Sequence, residues 1–267
     1  MNPERFFELL LKELEQTPVL QGYYKFLRGR KSFLFRRNYF LRRLEFIAAR
    51  VGSSEKSVWD AGCGYGTSAI FLTLSGHSVR GTTMEFYSDL IDKRRAYWSQ
   101  FGDLGKFTYV HEDLFNSPVP PGSFDRILVQ DALHHIEPID QGIQILSRSL
   151  KPDGKIVVVD VNGRAFLIRI PLYMQRGSKR VITMHDEKLN RDYVMGNENV
   201  RSFGTWKGIF ERNGMKVADY EFIRCYPPFL WSQDNYDRRV VSEKQLWRDH
   251  AMLREYGYMG MNLLVDK

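Results

Sequence analysis

Cysteine is scarce in this chain. Cys63 and Cys225 are the only two among 267 residues; so far apart, they suggest neither a disulfide framework nor a metal-ligand spacing. A reducing, cytoplasmic setting is the expectation that follows. No run approaches the roughly 18 apolar residues that span a bilayer. The opening stretch MNPERFFELLLKELEQ carries acids through its apolar run, so it does not read as a secretory signal. Internal repeats and low-complexity tracts are absent. With 43% hydrophobic and 14% aromatic residues, the chain reads as a folded globule. Its length suits one large α/β domain, or one domain with a small appendage.

Acid is missing locally. The whole chain has 39 Lys+Arg against 32 Asp+Glu, a formal charge of +7, yet Lys25 to Arg43 holds eight basic residues and no acid. Phe33, Phe40, Leu44 and Ile47 recur there at helical spacing, while Arg36, Arg43 and Arg50 take another face. Such a helix could meet a membrane surface or an anionic substrate. The favoured reading is a lid helix with its apolar face on the core and its basic face solvated.

Residues 1–50 read as helices, broken near Thr17-Pro18 and again around Gly29. From Val58 onward short apolar strands alternate with helical stretches: SVWDA, SVRGTTM, FTYVHED, FDRILVQDA and KIVVVDVN are strands, with helices at Thr67 to Leu74, Tyr87 to Phe101 and QGIQILSRSL. Two further strands, MKVADYEFIRCY and YMGMNLLVDK, follow GTWKGIFERNG and SEKQLWRDHAMLREYG. Strand–helix alternation implies a doubly wound, mostly parallel sheet, here of seven strands, with right-handed crossovers. The division expected is an N-terminal helical lid over 1–50 and a main domain over 51–267. Insertions at about 163–202 and 227–256 fit no clean period and are expected on the substrate side.

The turn after the first strand, VWDAGCGYGTS, places glycines at 62, 64 and 66. A dinucleotide fingerprint needs its third glycine one residue later, and the NTPase phosphate loop needs a Gly-Lys-Ser/Thr that does not follow. Asp60, two residues before the first glycine, would repel a pyrophosphate and suit a ligand carrying an ammonium group.

With these residues in view, VWDAGCGYGTSAIFLTLSGHSVRGTTME, VHEDLF, FDRILVQDALHHIE and LKPDGKIVVVD resemble the successive motifs of class I S-adenosylmethionine (SAM)-dependent methyltransferases over roughly residues 55–162. The resemblance implies a Rossmann-like fold and SAM as methyl donor. It implies that Asp60 takes the methionine ammonium, and that the backbone of Ala61, Gly62, Cys63, Gly64 and Gly66 makes the turn against the methionyl and ribose portions. Asp113 would bond the adenine amino group with Leu114 beside the ring, and Gln130 would line the methionine side. Most of the family ends the second strand with an acid that grips the ribose. That position here is Thr83, with Glu85 two residues on; Glu85 is the preferred candidate and Thr83 its neighbour.

Methyl transfer is a displacement at an activated carbon, so the protein supplies proximity and orientation, and a base where the acceptor must lose a proton. In QDALHHIEP, opened as a helix, Asp131, His134 and His135 would share one face. Either histidine could be that base; the alternative is that both are structural. Asp131, Asp160 and Asn162 are hard ligands suited to Mg²⁺, but their spacing departs from that of the catechol-type enzymes, so no metal is expected. Neither an Asn/Asp-Pro-Pro-Tyr/Phe motif nor a Pro-Cys ends the fourth strand, which argues against nucleic-acid bases as acceptors. A small or lipid-linked metabolite, methylated on oxygen in preference, is the expected acceptor, with peripheral membrane contact through 25–43 as a further possibility. An RNA methyltransferase and a non-catalytic SAM-binding regulator are the alternatives. SAM and S-adenosylhomocysteine are therefore expected to raise the melting temperature in a thermal-shift assay while NAD does not; no response to either SAM-type ligand sinks the assignment.

Overall fold

Val58 and Trp59, adjacent in the first strand, are both fully buried but in different cores. Successive strand residues point to opposite faces, and a sheet covered on both faces is apolar throughout. The same division separates Leu128 from Ile127 and Val129, and Val157 and Val159 from Ile156 and Val158. In this computed structural model, which describes residues 1–25, 29, 32–84, 88–117 and 119–267, those runs become β1 (Ser57–Ala61), β4 (Phe124–Gln130) and β5 (Leu150–Val161). With β2 (Ser78–Thr83), β3 (Phe107–His111), β8 (Lys216–Ile223) and β9 (Gly260–Asp266) they form one seven-stranded sheet in the order β3-β2-β1-β4-β5-β9-β8. β9 pairs antiparallel with both β5 and β8, and the pairs from β3 across to β5 are parallel.

One face is covered by α1 (Pro3–Gln16), α3 (Phe33–Val51), α4 (Thr67–Leu74) and α5 (Leu90–Trp98), whose Phe6, Leu10, Leu44, Ile47, Phe71 and Trp98 fill the first core. The other face is covered by α6 (Ile139–Ser149) and α8 (Phe203–Arg212), with Trp247 of α9 (Tyr236–Asp249) beside them. A short α2 (Pro18–Tyr24) links α1 to α3; Pro18 opens it, where the missing N–H costs nothing.

The expected solvated basic face of the helix that contains Arg36, Arg43 and Arg50 needs correction, while its apolar face does lie on the core. α1 and α3 are walls of the core. Arg42 reaches Glu45 at 2.9 Å and Glu221 at 2.5 Å, while Arg43 pairs with Asp131 and Arg50 with Asp219. The basic face of α3 therefore locks onto acids of β8 and of the chain after β4. Arg28, Arg30 and Lys31 lie outside the described residues.

The stretch 163–202, which shows no period in sequence, contains α7 (Phe166–Arg176) and a hairpin of β6 (Val181–Asp186) and β7 (Arg191–Gly196). The stretch 227–256 folds mainly as α9 and α10 (Ala251–Tyr256), and α9 packs back against β8.

A buried ion pair fastens the N-terminal helix to the sheet's first turn. Glu13 and Arg94 are each 2% exposed. Arg94 donates from Nε and Nη2 to the two oxygens of Glu13 at 2.8 and 2.7 Å, and Trp98 Nε1 donates to the same carboxylate at 2.9 Å. Nη1 of Arg94 continues to the Tyr65 carbonyl at 2.8 Å and Thr67 Oγ1 at 2.6 Å. Removing one partner strands a buried charge. Glu13→Ala is expected to cost about 3–5 kcal/mol in chemical denaturation, and Glu13→Gln, which keeps part of the hydrogen bonding, less. Equal stability of wild type and Glu13→Ala would refute this.

Candidate active site

The glycine turn is held from below. The amides of Gly62 and Cys63 both donate to the Thr82 carbonyl at the end of β2, at 2.9 and 2.8 Å. Gly62 has φ +92°, and a Cβ there would lie 2.5 Å from the Ala132 Cβ, so only glycine lets the turn close against the chain leaving β4. Gly81 of β2 leaves room in the same way for the Cys63 side chain, whose Sγ would stand 2.7 Å from a Cβ there.

Above this turn lies a cavity of about 810 Å³ at the carboxyl ends of the strands, where ligands of open α/β sheets bind. Ala61, Gly62, Gly64, Thr82, Thr83 and Met84 line it from β1 and β2, and 112–116 from the loop after β3. Gln130 to Ala132, His134 to Pro138 and Val161 line it from β4 and β5, Asp192 to Met195 and Glu198 from the hairpin side, and Tyr23 from α2. Among the described residues, 227–256 contributes nothing to this wall. The fold thus brings together nine of the residues singled out from sequence: Ala61, Gly62, Gly64, Thr83, Asp113, Leu114, Gln130, His134 and His135. Glu85 lies outside the described residues.

Asp60, Cys63 and Gly66 sit behind the wall. The Cys63 side chain is spent on packing against Gly81, and Gly66 begins α4 in a left-handed conformation against Phe107. Asp60 is 1% exposed, and neither of its carboxylate oxygens has a hydrogen-bond partner. Burial pushes its pKa up to about 7, opposed only by the nearby Ala69 amide. A buried carboxylate without a hydrogen-bond partner, one residue below the wall, is costly unless a cation or a proton neutralises it.

Asp113 is placed at the wall but already committed. Its Oδ1 accepts the amides of Phe115 and Asn116 at 2.7 and 2.9 Å; its Oδ2 accepts Asn116 Nδ2 at 2.8 Å and Arg191 Nη2 at 2.6 Å. Four hydrogen bonds exhaust a carboxylate. A contact with an adenine amino group therefore requires one of these to give way. Arg191 comes from β7, carries no motif signal, and also pairs with Glu112.

QDALHHIEP does not open as an α-helix. Asp131 takes a left-handed conformation, φ +49°, and turns to Arg43. Leu133–His135 form a single 3₁₀ turn, which puts the two imidazoles on different anchors. His134 Nδ1 is 2.6 Å from Asp160 Oδ1, and His135 Nδ1 is 2.9 Å from the Gly196 carbonyl. Their Nε2 atoms stand 3.5 and 3.7 Å from the two oxygens of Glu198. Burial opposes a charge on His134, but Asp160, then Glu198 and Asp131, raise its pKa to about 9. Burial and the neighbouring His134 lower that of His135.

The candidate Mg²⁺ ligands are used separately. Asp131 serves Arg43, Asp160 serves His134, and Asn162 Nδ2 donates to the carbonyls of Glu255 and Tyr258 at 3.0 and 2.8 Å. His134, His135 and Glu198 are another group able to hold a metal, their ligand atoms all within 4.8 Å of one another. At neutral pH a proton on His134 competes for the same Nε2.

The family model for the methyltransferase domain matches residues 59–158, the segment from β1 to β5 that builds most of this wall. Residues 59–158 thus form a methyltransferase domain, set in a sheet with the fold of solved SAM-dependent methyltransferases. Methyltransferase GfsG of Streptomyces halstedii is 28% identical over 78% of this chain and 73% of its own length. An uncharacterised protein of Synechococcus is 28% identical over 36% of this chain, and that match spans only 23% of the relative. Among solved structures, the 1,6-didemethyltoxoflavin-N1-methyltransferase of Burkholderia thailandensis, with S-adenosylhomocysteine bound, superposes with TM-score 0.53 at 13% identity, over all of this chain and 91% of its own. Beside the cavity of this domain lie a buried carboxylate without a hydrogen-bond partner and a glycine turn, features that would suit an ammonium group and a close backbone approach.

The raised pKa of Asp60 has a sign that can be read in stability. A carboxyl that is harder to ionise folded than unfolded imposes no penalty below its unfolded value of 3.8. The penalty grows as pH rises and is complete above about 7. Asp60→Asn is therefore expected to gain on wild type between pH 4 and 8 in urea denaturation of the ligand-free protein, by about 4 kcal/mol at most. A difference between the two proteins that does not change with pH would show that Asp60 is not held this way.

Proposed function

We propose that the domain methylates a hydroxyl of a small or lipid-linked acceptor, with His134 as general base. The observation that carries this reading is the buried His134–Asp160 pair, 2.6 Å between Nδ1 and Oδ1, on the wall of a cavity that also includes the glycine turn. Bound SAM supplies a methyl carbon activated by its sulfonium. Asp60, just behind the wall, is the group that attracts the ammonium, the Gly62 and Gly64 backbone bears on the methionyl part, and Thr83 faces the ribose. Leu114 packs on the adenine. Gln130, whose Oε1 accepts from Ser68 Oγ at 2.6 Å, lines the methionine side in a fixed orientation. Tyr23 covers the turn.

Asp160 fixes the tautomer and orientation of His134, so that Nε2 takes the acceptor's proton, and stabilises the imidazolium that forms. A cation bound nearby lowers the pKa of His134 from about 9 toward neutrality. His135, held by the Gly196 carbonyl, keeps its neutral form and orients the acceptor. Ile136, Tyr193, Val194 and Met195 offer that acceptor an apolar wall. Three of the eight basic residues that suggest RNA, Arg37, Arg42 and Arg43, are engaged with Glu4, Glu221 and Asp131, which weighs against that reading.

Screening hydroxylated metabolites against methyl-labelled SAM identifies the acceptor. On that acceptor, His134→Ala is expected to lower kcat by about 10²–10⁴ while S-adenosylhomocysteine affinity changes little. For wild type, kcat/KM should rise with pH as the base deprotonates, level off at or below about 9, and fall away in acid. Turnover unaffected by His134→Ala sinks the base assignment.

A further inference from the structure

α7 presents its apolar residues to water. Phe166, Leu167, Ile170, Tyr173 and Met174 are 57, 60, 57, 66 and 82% exposed, and none of the helix's residues is buried. At 100° per residue these five fall within an arc of about 120°. Ile168, on the opposite side, packs against the small cluster of Phe35, Ala165, Trp231 and Met259. A helix docked on a globule ordinarily does the reverse, and a contiguous exposed stripe of this kind marks an interaction surface.

The charge around the stripe indicates what covers it. From Gly163 to Arg180 there are five basic residues and no acid. Arg164 pairs with Glu255 at 3.6 Å, while Arg169, Arg176, Lys179 and Arg180 have no ion-pair partner among the described residues. Large apolar side chains bordered by unpaired cations are the composition of a helix lying in the headgroup region of an anionic bilayer. The chain on either side leads to the cavity: Val161, five residues before α7, lines it, as does Asp192 to Met195 of β7. In the hairpin that follows, Val181, Met184 and Val194 are likewise each over 40% exposed.

We infer that α7 is an interfacial helix that seats the domain on an anionic lipid surface, with Phe166, Leu167, Ile170, Tyr173 and Met174 in the acyl boundary and Arg169, Arg176, Lys179 and Arg180 among the headgroups. The seat sits between two segments of the cavity wall, so the acceptor class it serves is an amphipathic molecule resident in the membrane. That last step rests on the methyl-transfer reading; the seating does not.

Co-sedimentation of the full chain with phosphatidylcholine vesicles, with and without phosphatidylglycerol, tests the seating without any turnover. Binding is expected to the phosphatidylglycerol vesicles, to weaken in high salt, and to fall about tenfold or more in Leu167→Asp/Met174→Asp. Lys179→Glu/Arg180→Glu should lose the preference for anionic lipid. Both pairs are exposed, and a retained thermal shift with S-adenosylhomocysteine shows that the variants are folded. No wild-type binding to anionic vesicles overturns the proposal, as does binding that the Asp pair leaves unchanged. A wild-type dimer in sedimentation velocity that Leu167→Asp/Met174→Asp converts to monomer would make the stripe a self-interface and equally overturn it. Vesicle binding with no lipid-soluble acceptor found would leave the seating intact and count against the acceptor reading alone.

Discussion

Arg94 organises this molecule from underneath. Its guanidinium is held by Glu13, Thr67 and the Tyr65 carbonyl, with Trp98 donating to the same Glu13 carboxylate, so one buried charge joins α1, α5 and the glycine turn. Such a charge is tolerated only with its donors satisfied, and satisfying them fixes where the turn can lie. The cavity wall above depends on that placement: Gly62 and Gly64 hold their positions because the chain between Tyr65 and Thr67 is held from below.

The hairpin closes the opposite side. Its end beside β3 is fastened by Arg191 to Glu112 and Asp113, and by Asp186 to His111 at 2.9 Å. At its other end Met195 bridges to Ile136, and the Gly196 carbonyl holds His135. The strap is thus tied to both halves of the cavity by polar contacts. Polar fastenings of this kind exchange with water at lower cost than a packed core does. Because Arg191 takes acceptor capacity from Asp113, an adenine bonded to Asp113 would draw on the same carboxylate as the fastening of the strap.

The sheet was legible because buried parallel strands read as continuous apolar runs; SVWDA and FDRILVQ lie almost residue for residue on β1 and β4. β5 begins earlier than expected, at Leu150, because Phe124 pairs with Leu150 before a register shift, and Lys-Pro-Asp-Gly had read as a stop. The hairpin was not legible. β6 exposes most of its residues, so the strand has no apolar face to leave a period of two. The partners of Arg42, Arg43 and Arg50 were equally hidden, since they stand 179, 88 and 169 residues away in sequence, beyond anything spacing reveals. In the site, the glycines and histidines were visible as types. The left-handed Asp131, which sends the carboxylate to Arg43 and leaves His134 to Asp160, was not.

The Thr82 carbonyl has a consequence for selectivity. By taking the N–H groups of both Gly62 and Cys63, it withdraws two of the donors that a glycine-rich turn would otherwise aim at an anion. Phosphate-binding turns work as nests of free amides. This one is partly emptied of them by its own neighbour, and beneath it lies a carboxylate. A pyrophosphate would find fewer donors and an opposing charge at the same spot. Discrimination against nucleotide phosphates would thus begin in the backbone, with the Asp60 carboxylate adding to it.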